Sequence, residues 1–410
     1  MAITDNAPKA SFRLGMLLYD ARYRSITIQI LFLIALMLGL GWLASNAVVN
    51  LDKMGYVPSF SFLTQRAGYD ISFKLIDYTH DDTHFRALLV GLVNTLFISA
   101  LGCITATIIG VTAGVLRLSK NWVIARLMTL YVEIFRNVPL LLWLLVIFAI
   151  LTEATPAPNA FRGANPAAHM WLWHSVAVTN RYVALPAPLF SRSLGSVQTD
   201  MLTLVAVIIA SLLVNRFVVH RASAVQYATG VRPTTWWKSL LILFVPAIAL
   251  LVMLGFHFEY PVLKGFNFSG GIQAPNFVFA LWLGLSIYTG TYIAEIVRSG
   301  ILAVSRGQSE AAYALGLRPG RTMSLVVLPQ ALRVIVPPMI SQFLNLTKNS
   351  TLAAAISYPD LTATLGGITL NQTGRALECV LLMMMIYLII SLLISLAMNL
   401  FNRSVSLKER

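Results

Sequence analysis

Residues 310–329 read EAAYALGLRPGRTMSLVVLP. One acid, two arginines, two glycines and two prolines stand here between apolar segments, each long enough to cross a bilayer. Glu310 suits the positive end of a helix dipole, Ser309 can cap a helix that begins there, and Ala311, Ala312, Ala314 and Leu315 are good helix formers. Gly316 can take the left-handed conformation that ends a helix, and Pro319 blocks its resumption for several residues. These residues predict a stub helix on the order of 10 Å long, with a small face at Ala311 and Ala312 that can lie closely against another surface. Such a helix spans nothing. Read from these residues alone, an ordinary connecting loop is the competing account.

Around that stretch the chain is strongly apolar: of 410 residues, 57% are hydrophobic and 11% charged. Soluble domains carry about a quarter charged residues, and none of this length could bury several apolar runs of about 20 residues. The composition therefore reads as an integral membrane protein. Its net charge of +14 is strung between apolar segments rather than gathered on one face, which fits topology signals and contact with anionic membrane lipid, not nucleic acid. Cys103 and Cys379 both fall in or beside apolar segments, so neither a disulfide framework nor a metal cluster is expected. The first apolar segment is too long for a cleaved signal peptide and is expected to remain as a helix.

Eight spans are expected, over residues 26–44, 88–116, 123–151, 201–219, 240–258, 277–300, 334–356 and 377–401. With the amino end inside, nineteen of the thirty Lys and Arg fall on or beside the cytoplasmic face, among them Lys9, Arg13, Arg22, Arg24, Lys408 and Arg410. Nine fall outside, and Arg136 and Lys348 lie within spans. That excess predicts both termini in the cytoplasm. The longest external stretches, 46–85 and 152–199, do not read as independent domains.

Ionisable groups within spans are costly and mark transport paths. Tyr288, Tyr292 and Glu295 recur at i, i+4 and i+7 and so share a helix face, either as a substrate-path stripe or with Glu295 merely paired to Arg298. Lys348 is expected well inside the seventh span, followed by Asn349, Ser350 and Thr351. It can meet a substrate carboxylate if the helix loosens there, or else form a structural ion pair or reach toward an interface. Pro337 and Pro338 are expected to kink or break the start of that span. Glu133 and Arg136 are expected to pair, and Gly110 with Gly114 to make a helix-packing face. The sequence lacks a G-x-x-x-x-G-K-[ST] run and an HExxH run, so no nucleotide, catalytic or metal site is expected in this chain.

Glu310, Ala311, Ala312, three residues, Gly316, nine residues, then Val326, Leu328 and Pro329 resemble the signature loop of ABC importer permeases, with Val where Ile is usual. The stretches YVEIFRNVPLLLWLL (131–145), GLSIYTGTYIAEIVRSGI (284–301), LPQALRVIVPP (328–338) and LNLTKNSTLAAAISYPDL (344–361) are similar to the polar amino acid permease family. The larger layout resembles the general L-amino acid permease subunits of that family. The resemblance implies an all-α integral membrane fold, a permease core of about five helices in 88–151 and 277–401. To this core are added a first helix with its external loop (26–87) and an insertion carrying a helix pair (152–276). Residues 1–25 and 402–410 would then be cytoplasmic ends.

It further implies a subunit of a binding-protein-dependent L-amino acid importer in the bacterial inner membrane, itself not an enzyme. Glu310, Ala311, Ala312, Leu315, Gly316 and Pro319, within the cytoplasmic loop 301–333, would form the coupling helix that docks on an ABC ATPase dimer. The ATPase would bind ATP and Mg, and a second related permease and a periplasmic amino acid-binding protein would complete the assembly. A secondary transporter driven by an ion gradient, and a channel or membrane scaffold, are the rivals; both must explain the loop at 310–329.

Overall fold

The computed structural model describes residues 19–163, 166–195 and 197–405, so the expectations placed on Lys9, Arg13, Lys408 and Arg410 lie outside the described residues. The chain divides into two compact units, 1–62 and 63–410. The described part of the first is chiefly helix α1 (Ala21–Lys53), 33 residues of largely exposed apolar side chains, about 50 Å in length.

The second unit is built on two long helices, α2 (His84–Leu116) and α7 (Asn276–Leu302), which pack along each other. Lipid supplies little hydrophobic drive between helices, so close backbone approach must hold them, and small residues permit it. A Cβ added at Gly110 would stand 2.5 Å from the Ile293 Cβ, and one at Gly114 2.6 Å from the Ala294 carbonyl oxygen. The expected packing role of these glycines is what the structure shows. Around this pair the buried core gathers Ile98, Leu144, Leu281, Leu285, Leu346 and Tyr358.

The third expected span is not continuous. It forms α3 (Trp122–Arg136) and α4 (Leu140–Glu153), bent by 103° at the intervening residues. Pro139 has no amide hydrogen and disfavours helical geometry at Val138, so the helix ends before it. Asn137 Nδ2 bonds back to the Glu133 carbonyl at 2.8 Å, and Phe135 stacks on Trp143 across the bend with ring centroids 4.2 Å apart.

The inserted pair is α5 (Val197–Thr229) and α6 (Trp236–Met253), which pack on each other. Although the fold is mainly helical, the purely helical expectation misses seven strands of two to four residues among the described residues. Strands β1 (Ala177–Val178), β2 (Tyr182–Leu185) and β3 (Ala187–Phe190) precede the inserted pair. β4 (Phe256–Glu259), β5 (Val262–Lys264), β6 (Asn267–Ser269) and β7 (Ile272–Pro275) follow it. The sheets β1-β2-β7 and β3-β4 tie the two flanks of the insertion together, with Val183 opposite Ala274 and Leu189 opposite His257. Asn276 fastens this layer to the core: its Nδ2 donates to the carbonyls of Leu151 and Thr179, each at 3.0 Å.

After α7 come α8 (Arg306–Ala314), α9 (Pro319–Thr322), a π-helical segment Met323–Val327, and α10 (Leu328–Asn349). Much of the expected 301–333 loop is therefore helical. Pro337 and Pro338 do not break α10, which runs through them. A 3-10 segment (Ser350–Ile356), a π-helical segment (Thr362–Thr369), α11 (Leu370–Thr373) and α12 (Ala376–Val405) complete the chain. Among the described residues, seven helices are long and apolar enough to cross a membrane, and the bent α3–α4 pair makes eight if it counts as one span.

Candidate functional site

Three features carry the residues singled out in the sequence. The first is α8. Its helix starts at Arg306 with Ser305 in the capping position, so Ser309 and Glu310 are interior, not first. The sequence signal was there: Ser305 followed at the third position by Gln308 is a helix-start pattern. The end is as expected. Gly316 has φ +79°, its amide donates to the Tyr313 carbonyl at 2.9 Å, and the Leu317 amide donates to the Ala312 carbonyl at 3.1 Å. This paired closure satisfies carbonyls that the helix would otherwise leave open.

Pro319 does not hold the chain out of helix; it is the first residue of α9, where its missing amide hydrogen costs nothing. Ala312 is buried, and α8 packs against the Met323–Val327 segment, whereas Glu310, Ala311, Tyr313 and Leu315 are exposed. Leu315, at 83% exposure, is a large apolar side chain at the tip of a polar stub.

The second feature is the α7 face, which the structure splits in two. The Tyr288 and Tyr292 hydroxyls hydrogen-bond at 3.0 Å, and the Arg136 guanidinium lies 5.2 Å from the Tyr292 ring centroid. Glu295 is held elsewhere: Arg117 Nη1 lies 2.5 Å from one carboxylate oxygen and Arg298 Nη1 3.0 Å from the other. The pairing of Glu295 with Arg298 is thus made. Its second clamp, Arg117, comes from the residue just after α2 and was invisible in the sequence, being 178 positions away.

The expected Glu133–Arg136 ion pair is absent among the described residues. Glu133 Oε2 accepts from Asn137 at 3.2 Å, while the bend carries Arg136 onto Tyr292. Arg136 has no carboxylate within 4.0 Å among the described residues. Tyr131 pins the bent pair to α7, its hydroxyl donating to the Ile287 carbonyl at 2.6 Å.

The third feature is a groove of about 660 Å³ between the end of α10, the π-helical segment and α12. Lys348, Thr351, Thr362, Tyr387 and Ser391 supply its polar wall, and the run Met383 to Met385 its apolar one. Lys348 is in the last turn of α10, within the apolar helical run Pro319–Ile356 as expected, and it is exposed with no acidic partner among the described residues. The helix does not loosen beside it: the chain passes from α-helix to the tighter 3-10 form at Ser350, which is buried and donates to the Thr347 carbonyl at 2.8 Å. Asn349 is half-buried beside it.

Sequence reasoning missed Asp360, Thr362 and Tyr387. Asp360 is fully buried; one carboxylate oxygen accepts from the Ala363 amide at 2.8 Å and the other lies 3.4 Å from the Tyr387 hydroxyl. The signal was a lone acid in SYPDLTATL. No hydrogen bond or ion pair joins this groove to the Tyr288–Tyr292 pair among the described residues.

The described residues thus form a bundle of long apolar helices with an exposed polar stub, and Arg136 and Lys348 have no acidic partner among them. A match to the binding-protein-dependent transport system inner membrane component spans residues 236–407. The chain belongs to the family of amino acid ABC transporter permeases. Among its relatives is the glutamate/glutamine/aspartate/asparagine transport system permease protein BztB of Rhodobacter capsulatus, 61% identical over the whole of both chains. Another is the general L-amino acid transport system permease protein AapQ of Rhizobium johnstonii, 44% identical over 98% of this chain and 96% of the relative. In this family the permease is a membrane component without catalysis of its own, and ATP hydrolysis belongs to a partner subunit.

Proposed function

We propose that this chain is one of two related permease subunits of an importer for polar L-amino acids in the bacterial inner membrane. An external binding protein supplies its substrate, and an ABC ATPase dimer that binds ATP and Mg drives it. The observation that carries the reading is the exposed stub at 306–316, with Leu315 solvent-facing and Gly316 closing it rigidly. A nine-residue helix that satisfies its own end and leaves Glu310, Ala311, Tyr313 and the capping Leu315 exposed is shaped to be pushed from the cytoplasm. In this reading the load passes inward where α8, with Ala312 buried, packs on the π-helical segment, and through Pro319, which opens the helical run that leads into α10.

In this reading α3 and α4 count together as one span, giving eight spans with both termini cytoplasmic, as the distribution of Lys and Arg favours. Residues 88–151 and 277–401 form the core, 26–87 an added helix with its loop, and 152–276 an insertion that carries the outer layer of sheets. Lys348 takes the substrate carboxylate, with Asn349 and Ser350 shaping the turn. Tyr288, Tyr292 and Arg136 line a second polar station on the path. Glu295 is a structural clamp for the α2–α7 pair rather than a substrate ligand, since both carboxylate oxygens are engaged by arginines. The substrate class follows the relatives, which are named for acidic amino acids, their amides, and L-amino acids in general.

Uptake into vesicles carrying the reconstituted complex tests the reading. Accumulation of L-glutamate or L-glutamine that needs both internal ATP and the binding protein is expected. Accumulation driven by an ion gradient alone would favour a secondary transporter.

A further inference from the structure

Asp360 is an acid with no exposed surface and no cationic side chain within 4.0 Å among the described residues. A buried carboxylate is costly unless hydrogen-bonded and opposed by positive charge. Its hydrogen bonds are provided, by the Ala363 amide, by Thr362 and by the Tyr387 hydroxyl. The positive charge is not.

Tyr387 stands between this acid and the open groove: its ring lines the groove, and its hydroxyl reaches Asp360 Oδ2 at 3.4 Å and Thr362 Oγ1 at 3.3 Å. A phenol has one proton to give, and a carboxylate is its strongest acceptor in reach. Neighbouring hydroxyls are committed elsewhere, Ser350 to the Thr347 carbonyl and Thr95 to the Gly91 carbonyl, both at 2.8 Å. Thr362 also bonds the Asp360 carboxylate, a stronger acceptor than a phenol. With Thr362 donating there, the phenol oxygen keeps a lone pair as an acceptor, with negative charge directly behind it. The same groove is lined by Lys348, whose ammonium has no acidic partner among the described residues.

We propose that this groove recognises both charged ends of an α-amino acid, Lys348 holding the carboxylate and the Tyr387 oxygen, positioned and polarised by Asp360, accepting from the α-ammonium. The inference rests on the reading of Lys348 given above and adds the amine subsite. Asp360 acts through Tyr387 and is a positioning residue. The apolar side of the groove, from Met383 to Met385, leaves the side chain of the substrate loosely specified, as unbranched thioethers adapt to varied shapes.

The test is equilibrium binding to the purified importer complex without its binding protein, using L-glutamate and, as a probe lacking the ammonium, (2S)-2-hydroxyglutarate. Wild type is expected to prefer glutamate. Tyr387→Phe, which removes one oxygen and keeps the ring, is expected to weaken glutamate about tenfold or more while leaving hydroxyglutarate within about twofold, so that the preference collapses. Asp360→Asn is expected to act in the same direction and carries the test should Tyr387→Phe not assemble. Lys348→Gln is expected to weaken both ligands alike.

If Tyr387→Phe and Asp360→Asn keep the wild-type preference while Lys348→Gln weakens both ligands, the amine subsite is wrong and the carboxylate reading stands. If Lys348→Gln binds both ligands as wild type does, the carboxylate reading fails. A requirement for sodium when choline replaces it would assign the charge of Asp360 to a metal cation and overturn the proposal.

Discussion

Glu295 sits between two guanidiniums, and of the three side chains Arg117 is the least exposed, at 8%. Removing the carboxylate leaves Arg117 buried without a counter-charge. Glu295→Ala is therefore expected to destabilise the complex by about 1–3 kcal/mol, below the range for fully buried pairs because Glu295 keeps some contact with solvent. Melting of the purified complex, followed by fluorescence, measures it. Arg136 makes a contrasting case. It stacks on a ring and pairs with no carboxylate, so Arg136→Gln is expected to spare the melting temperature and raise the KM for uptake severalfold. An unchanged KM would remove Arg136 from the path. At this scale the sequence was a partial guide: helical spacing placed Tyr288 beside Tyr292 and Glu295 beside Arg298. It could not place Arg117 beside Glu295 or Tyr387 beside Asp360, because those contacts depend on how separate helices meet.

Helix ends and helix contacts were more legible than helix interiors. The closure at Gly316 follows from glycine's ease at positive φ, and there the structure has φ +79°. Gly316→Pro cannot adopt that angle and loses the amide that bonds Tyr313. Its complex is expected to hydrolyse ATP without stimulation by loaded binding protein and to import nothing. Gly316→Ala keeps the amide, pays roughly 1–2 kcal/mol of local strain, and is expected to retain most of its uptake. Normal stimulation and uptake in the proline variant would take the coupling role away from this element. Gly110→Val tests the other kind of contact: its Cβ would fall 2.5 Å from that of Ile293, so α2 and α7 must separate. A fall in the yield of monodisperse complex and in its melting temperature is expected, by about 1–3 kcal/mol for overpacking. The start of α8 and the passage of α10 through Pro337 and Pro338 were misread because local propensity was weighed without the neighbours that hold those turns in place.

For the whole molecule, composition alone established a membrane bundle, and the distribution of Lys and Arg gave its expected orientation. The small sheets were not legible: strands of two to four residues carry little period, and β2 finds β7 across the entire inserted helix pair. The bend of 103° between α3 and α4 was written in Asn137, Val138 and Pro139, yet an apolar run of the right length outweighed it. The proposed function rests on force reaching α8 from a partner that hydrolyses ATP. The most direct test is a photo-crosslinking residue at position 315, activated in native membranes that carry the assembled importer. The account predicts a covalent product containing the ATPase subunit. Crosslinks confined to this chain, or labelling of position 315 by a reagent that cannot enter the cell, would contradict it.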